Sequence, residues 1–135
     1  MREADYRRRV VKLLAPLAAF PVENTTSDGA PDIATTLGWI EMKVATMPAR
    51  SGSRVVIPLR NSQRIWLRGW ARHGGRAWTL TVFSDEETWL MHDGAWASEN
   101  LGEVVYDVLL QHAIGTWTGG PTSEELITVK RGEQT

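Results

Sequence analysis

Near the start of the chain the apolar positions recur at helical spacing. Tyr6, Val10, Leu13, Leu14 and Leu17 share one stripe, which predicts a first helix from about residue 2 to residue 15. Pro16 lacks an amide donor and crowds the carbonyl four residues back, so the helix is expected to kink or end there. The pattern then becomes strand-like. Residues 20–24 predict a short strand and Ser27-Asp28-Gly29 a turn. Residues 32–36 and 39–44 predict a hairpin about Leu37-Gly38, with Gly38 supplying a permissive backbone. Residues 45–56 begin as a loop rich in Pro, Gly and Ser and merge into Val55-Val56-Ile57, which Pro58 confines to a sheet edge.

A second helix is predicted at roughly residues 62–73, capped by Asn61 or Ser62 and ended by Gly74-Gly75. Residues 76–83 alternate as a strand. Residues 88–92 and Trp96 flank Asp93-Gly94, which predicts a second hairpin. A last helix, about residues 102–114, is expected to bury Val104, Val105, Val108 and Leu109. Residues 115–135 are expected to be a loosely held C-terminal tail to a domain spanning residues 1–114. This order predicts an α/β (or α+β) fold, a mixed central β-sheet flanked by helices.

Composition narrows the function classes. The chain has 135 residues, enough for one core, and no cysteine, so disulfides and thiolate metal sites are excluded. No apolar run approaches bilayer length, and the charged start does not suit a secretory signal. A cytoplasmic protein with no membrane partner is the expectation. Net charge is −1, but it is unevenly spread. Residues 1–76 hold 13 Lys/Arg against 6 Asp/Glu, whereas residues 77–135 hold 2 against 10. A basic face toward phosphates would follow if the halves separate in space, and nothing would follow if they interleave.

The candidate chemistry lies on the first hairpin. Strand side chains alternate faces, so Glu41 and Lys43 point the same way. With Leu37-Gly38 as a two-residue loop, Thr36 pairs with Trp39, Ala34 faces Glu41 and Asp32 faces Lys43. Two carboxylates and a lysine then converge, while Ile33, Ile40, Met42 and Val44 point to the other side. Hard oxygen ligands at close quarters suit Mg²⁺.

Pro31-Asp32, a short spacer, then Glu41-Met42-Lys43 resembles the PD-(D/E)xK nuclease motif. Three further features extend the resemblance. Glu3 falls within the apolar stripe of the first helix, where a carboxylate needs a partner such as a metal or Lys43. Members of the family often carry a Glu there at the metal site. The alternative is a helix-start Glu favoured by the dipole. Gln63 lies on the apolar face of the second helix with Trp66, Leu67 and Trp70, and in the resolvase-like branch such a Gln reaches the active site. The alternative is a first-turn cap partner. Arg60, Arg64, Arg68 and Arg72 are each four apart and stack along one stripe, which DNA phosphates would neutralise. The alternative is a solvated face paired with distant acids. Arg7 and Arg8, in the run Arg7-Arg8-Arg9, could add a second DNA contact.

The resemblance implies a restriction-endonuclease-like core and a Mg²⁺-dependent endonuclease, with Mn²⁺ able to substitute. Asp32, Glu41, the Met42 carbonyl and Glu3 would hold metal, Lys43 would hold or activate the attacking water, and Gln63 would orient Lys43 or the water. The implied product carries a 5′ phosphate. The spacing is most similar to archaeal-type Holliday junction resolvases and then to virus-type replication-repair nucleases, although the loop at residues 45–56 departs from that pattern. Branched or duplex DNA is the implied partner, and paired cuts in a four-way junction imply a homodimer. A virus- or prophage-encoded protein acting in a host cytoplasm would fit. No Gly-rich phosphate loop points to a nucleotide cofactor.

Of the seven tryptophans, Trp66 and Trp70 are expected in the core by spacing, and Trp39 is expected to wall the site. Some of Trp78, Trp89, Trp96 and Trp117 are candidates for a dimer interface. His73, His92 and His112 are too far apart for a ligand motif and are expected to cap, pack or face solvent.

Overall fold

The structure, a computed structural model, describes residues 2–22, 29–50, 52–130 and 132. Helix α1 spans Glu3–Leu13 and buries Tyr6 and Val10. Pro16 does not kink it. The chain instead passes into a 3₁₀ turn, Ala15–Leu17, where a proline in the first turn forfeits no helical donor. Strand β1 is Phe20–Pro21, β2 is Ile33–Thr35 and β3 is Gly38–Ala45. The far end of the strand predicted at residues 20–24, and Ser27-Asp28 of the predicted turn, lie outside the described residues.

Strand β4, Arg54–Val56, precedes helix α2, Asn61–Arg72. The cap of α2 is neither Asn61 nor Ser62. Arg60 occupies that position, and its N–H donates to Gln63 Oε1 at 2.9 Å. The predicted ending holds. Gly74 takes φ +83°, and the N–H groups of Gly74 and Gly75 donate to the carbonyls of Ala71 and Trp70. Strand β5 (Ala77–Phe83) and β6 (Thr88–Asp93) follow, then α3 (Gly94–Asn100), β7 (Glu103–Val105), α4 (Tyr106–His112), β8 (Gly115–Thr118) and α5 (Ser123–Lys130).

Six strands form one sheet in the order β1-β2-β3-β5-β6-β8, and β4 pairs with β7 in a separate ribbon. Only the β3–β5 pair of the large sheet is parallel. A parallel pair needs a crossover, and the segment carrying β4 and α2 provides it. The fold is therefore mixed α/β, with helices on both faces. On one face Tyr6, Val10, Leu14, Leu17 and Leu126 pack against Ile33, Ile40, Met42, Trp78, Leu80, Val82 and Met91. On the other, Leu67, Ala97, Leu101 and Leu109 pack against Ala45, Ala77, Phe83 and Leu90. Each fully buried Leu or Val contributes about 1.5–3 kcal/mol relative to exposure. All seven residues of β5 are buried because both of its faces are covered.

Four expectations need correction. The β2–β3 hairpin turns on Thr36-Leu37, pairing Thr35 with Gly38, Ala34 with Trp39 and Ile33 with Ile40. Thr35 Oγ1 explains this choice, since it accepts from Leu37 N–H at 3.2 Å and donates to the Gly38 carbonyl at 2.8 Å. Asp93-Gly94 starts a helix rather than a hairpin turn. The Asp93 carboxylate caps α3 by accepting from Ala95 and Trp96 N–H. The helix predicted over residues 102–114 divides into β7 and α4. Val104 and Leu109 are buried as expected, and Val105 and Val108 only partly.

The fourth concerns residues 115–130, which are not loosely held. Strand β8 is the sixth strand of the sheet, and α5 places Leu126 in the core at 0% exposure. The basic and acidic halves of the sequence interleave, since β3 and β5 are neighbours and Arg54 pairs with Glu103 at 3.7 Å. Among the described residues, no helix is long and apolar enough to cross a membrane.

Candidate functional site

The slip in the hairpin is two residues, and two is the period of a strand. Asp32 therefore stays on the face of Glu41 and Lys43, but the observed register, continued one residue, sets it opposite Glu41 rather than Lys43. Asp32 precedes β2, where the ladder ends and the Met42 N–H would lack a partner. The Asp32 carboxylate supplies one, its Oδ2 accepting from Met42 N–H at 3.0 Å. A strand residue directs its N–H and C=O to the same neighbour, so the Met42 carbonyl also faces the Asp32 side. Gly29, with φ +85°, allows the approach to Asp32 to run against α2, because a Cβ there would collide with the Ser62 carbonyl.

Glu3, at the start of α1, completes a group of three. Carboxylate oxygens of Glu3, Asp32 and Glu41 lie within 4.8 Å of one another. Oxygens on one Mg²⁺ lie at most about 4.2 Å apart and on one Ca²⁺ at most about 5.2 Å. The observed spread lies above the first limit and within the second. Glu3 itself is exposed, Asp32 is intermediate and Glu41 is only 3% exposed. Glu3 is at once a first-turn acid of α1 and a neighbour of the Asp32 and Glu41 carboxylates.

Glu41 is held by two partners. Lys43 Nζ lies 3.3 Å from its Oε2, and Gln63 Nε2 donates to the same oxygen at 3.1 Å. Gln63 Oε1 accepts from Lys43 Nζ at 3.2 Å and from the Arg60 N–H. The single side chain thus serves as cap partner and as site residue. Burial and the neighbouring Asp32 push the Glu41 carboxyl up to about 8, against the pull of Lys43. Glu3, though exposed at the surface, is raised too, by partial desolvation among its neighbours and by Asp32, with Lys43 and Arg7 opposing. A bound cation would reverse both shifts by favouring the charged forms.

The arginines divide. Arg7 Nη1 lies 3.9 Å from Asp32 Oδ1, whereas Arg8 pairs with Asp5 at the exposed side of α1. Arg60, Arg68 and Arg72 are exposed. Arg64 is not available to phosphate. Its guanidinium donates to the carbonyls of Ser98 and Leu101 at the end of α3, where orphan carbonyls need donors.

The tryptophans also depart from expectation. Trp66 and Trp70 are not deep core. They stack on each other at 5.0 Å, Trp39 packs on both at 5.3 and 6.1 Å, and Trp70 is 38% exposed. Trp39 thus packs onto α2 and forms an aromatic cluster beside the site rather than a bare wall. Trp78 and Trp89 are buried within the chain and offer nothing to a second copy. His73 bonds the Gly69 carbonyl, His112 stacks on Trp96, and His92 is buried with Nε2 on the Leu109 carbonyl.

A polar row on the same sheet face was missed. Thr79 is the register neighbour of Glu41 and of His92, and Thr81 is the neighbour of Lys43. All three of Thr79, Thr81 and His92 are fully buried, and Thr79 Oγ1, Thr81 Oγ1 and His92 Nδ1 have no hydrogen-bond partner among the described residues. The alternation Thr79, Thr81 within an apolar strand was the available signal. Comparison of the chain with protein-family models, with curated proteins and with solved structures finds no match.

Proposed function

We propose that the protein is a Mg²⁺-dependent DNA endonuclease with a restriction-endonuclease-like core, acting as a homodimer on four-way or other branched junctions. The observation that carries this reading is the cluster of Glu3, Asp32 and Glu41 within 4.8 Å, with Lys43 Nζ 3.3 Å from Glu41. Three hard carboxylates, one of them buried, fit a small divalent cation, and Mn²⁺ would be accepted on the same ligands. When bound, such an ion lowers the pKa of water and neutralises charge on a phosphodiester.

The chain's own groups divide the remaining work. Asp32 and Glu41, with Glu3 and the Met42 carbonyl at the edge, hold the ion. Lys43, fixed between Glu41 and Gln63, presents its ammonium to the attacking water or to the charge that develops on the phosphate. Gln63 positions Lys43, since its amide spans both partners. The exposed Arg60, Arg68 and Arg72 are among the cations open to the DNA backbone.

The test is cleavage of a labelled four-way junction beside a linear duplex of equal length with Mg²⁺, using wild type, Asp32→Asn and Lys43→Ala. Paired symmetric nicks on the junction alone, lost in both variants, support the full reading. Cutting of both substrates removes junction specificity and keeps the nuclease. No cutting of either, across several divalent metals, overturns the enzyme.

A further inference from the structure

The run Arg7-Arg8-Arg9 is uniform in sequence but not in use. Arg8 is taken by Asp5. Arg9 donates to the Gly119 carbonyl at 2.8 Å and lies 5.0 Å over the Trp89 ring. Arg7, one turn beyond Glu3 and on the same helix face, points at the carboxylate cluster. Its side chain remains 36% exposed, and 3.9 Å to Asp32 is too long for a hydrogen bond.

The oxygen it faces is informative. Oδ2 of Asp32 accepts from the Met42 N–H and Arg7 approaches Oδ1, and Asp32 is also a member of the cluster with Glu3 and Glu41. A divalent ion and the Arg7 guanidinium therefore compete for the charge of one carboxylate. Charge counting agrees. Three carboxylates against Lys43 and Arg7 leave the ionised site one negative charge, and one divalent ion turns that to one positive charge. A phosphodiester group supplies the missing anion.

We propose that Arg7 holds the place of the cation at Asp32 in the free protein, is displaced when the ion binds, and then takes a non-bridging oxygen of the scissile phosphate. The inference rests on the nuclease reading for its second half only. A planar guanidinium with free N–H donors at the exposed rim suits a phosphate, and its stabilisation grows as charge builds in the transition state. This sets Arg7 apart from Arg68 and Arg72, which lie on a different helix and would tether DNA uniformly.

The experiment uses the full chain as wild type, Arg7→Ala and Arg7→Lys. Ca²⁺ binding is followed by thermal shift without DNA, and cleavage is measured in Mg²⁺ at saturating substrate. Removing a competing cation is expected to tighten Ca²⁺ binding in Arg7→Ala by roughly 2–5-fold, the range of a partly exposed ion pair. Its kcat is expected to fall about 100-fold with little change in KM, and Arg7→Lys should recover part of the loss. Unchanged or weaker Ca²⁺ binding by Arg7→Ala overturns the displacement, and an unchanged kcat overturns the phosphate contact. If wild type cuts nothing, the nuclease reading falls on that ground alone, and the Ca²⁺ comparison still decides the displacement.

Discussion

Asp32 accepts a hydrogen bond from the backbone N–H of Met42 at 3.0 Å, so its carboxylate closes the end of the β2–β3 ladder while it also stands in the cluster with Glu3 and Glu41. The same residue is a structural plug and a candidate ligand, and substitutions separate the two roles. Asp32→Asn retains a carbonyl oxygen for Met42, so metal-free stability is expected to hold or rise as like-charge crowding is relieved. Asp32→Ala leaves a buried N–H unpaired and is expected to lose about 1–3 kcal/mol. Under the proposed function, divalent cations should stabilise wild type and neither variant. Urea unfolding with and without Mg²⁺ reads all of these quantities.

Glu41 makes metal-free stability depend on pH. Its folded value is raised to about 8 from 4.5, so between these limits the folded state holds a proton that the unfolded state has released. Stability from this group is complete below about pH 4.5 and is lost as pH rises through 8. Glu3, also raised, adds to the same slope. The urea midpoint in EDTA is expected to fall from pH 5 to pH 9, less steeply in Glu41→Gln. The stabilisation by Ca²⁺ should grow across that range, because binding releases the proton. A wild-type profile parallel to that of Glu41→Gln would contradict the buried acid.

Lys130 slopes the other way. It is fully buried with no hydrogen-bond partner among the described residues, and its Nζ sits 3.7 Å from the Trp78 ring centroid. Burial, with Arg76 adding repulsion, pulls the ammonium down from 10.5 to about 7, while the ring face attracts the charged form. A depressed folded value means that stability is present above pH 10.5 and is lost as pH falls through 7. Lys130→Met is expected to stabilise the protein by roughly 1–3 kcal/mol at pH 6, with the gain shrinking toward pH 10. Thermal unfolding at the two pH values measures it.

Arg64 and Arg68 are one helical turn apart and are expected to behave differently. Arg64→Ala removes donors from two carbonyls at the end of α3 and should cost about 1.5–3 kcal/mol in stability. Arg68→Ala, at an exposed position, should change stability by less than about 0.5 kcal/mol. Under the proposed function it should weaken DNA binding and lower the salt slope by about 1. Urea unfolding and anisotropy at several salt concentrations separate the two residues.

Local pattern determined a good part of this protein. The stripe of Tyr6, Val10 and Leu14, the Gly74-Gly75 ending of α2, and the shared face of Glu41 and Lys43 follow from periods of 3.6 and 2 that burial enforces. The candidate cluster was legible for the same reason, since Asp32 keeps its face under any even slip of the hairpin.

Other features waited on contacts distant in sequence. The slip itself came from Thr35 Oγ1 organising the turn. Asp93-Gly94 carries a cap signal and a turn signal alike, and the helix won where Gly94 packs against the Ala77 backbone, leaving no room for a Cβ. The fates of Arg7, Arg8 and Arg9 depended on which carbonyl, carboxylate or ring each could reach. Residues 115–130 read as a tail because a Gly- and Thr-rich strand has little periodicity of its own. It became the sixth strand because β6 offered an unpaired edge, whose backbone groups need partners that no nearby segment supplies.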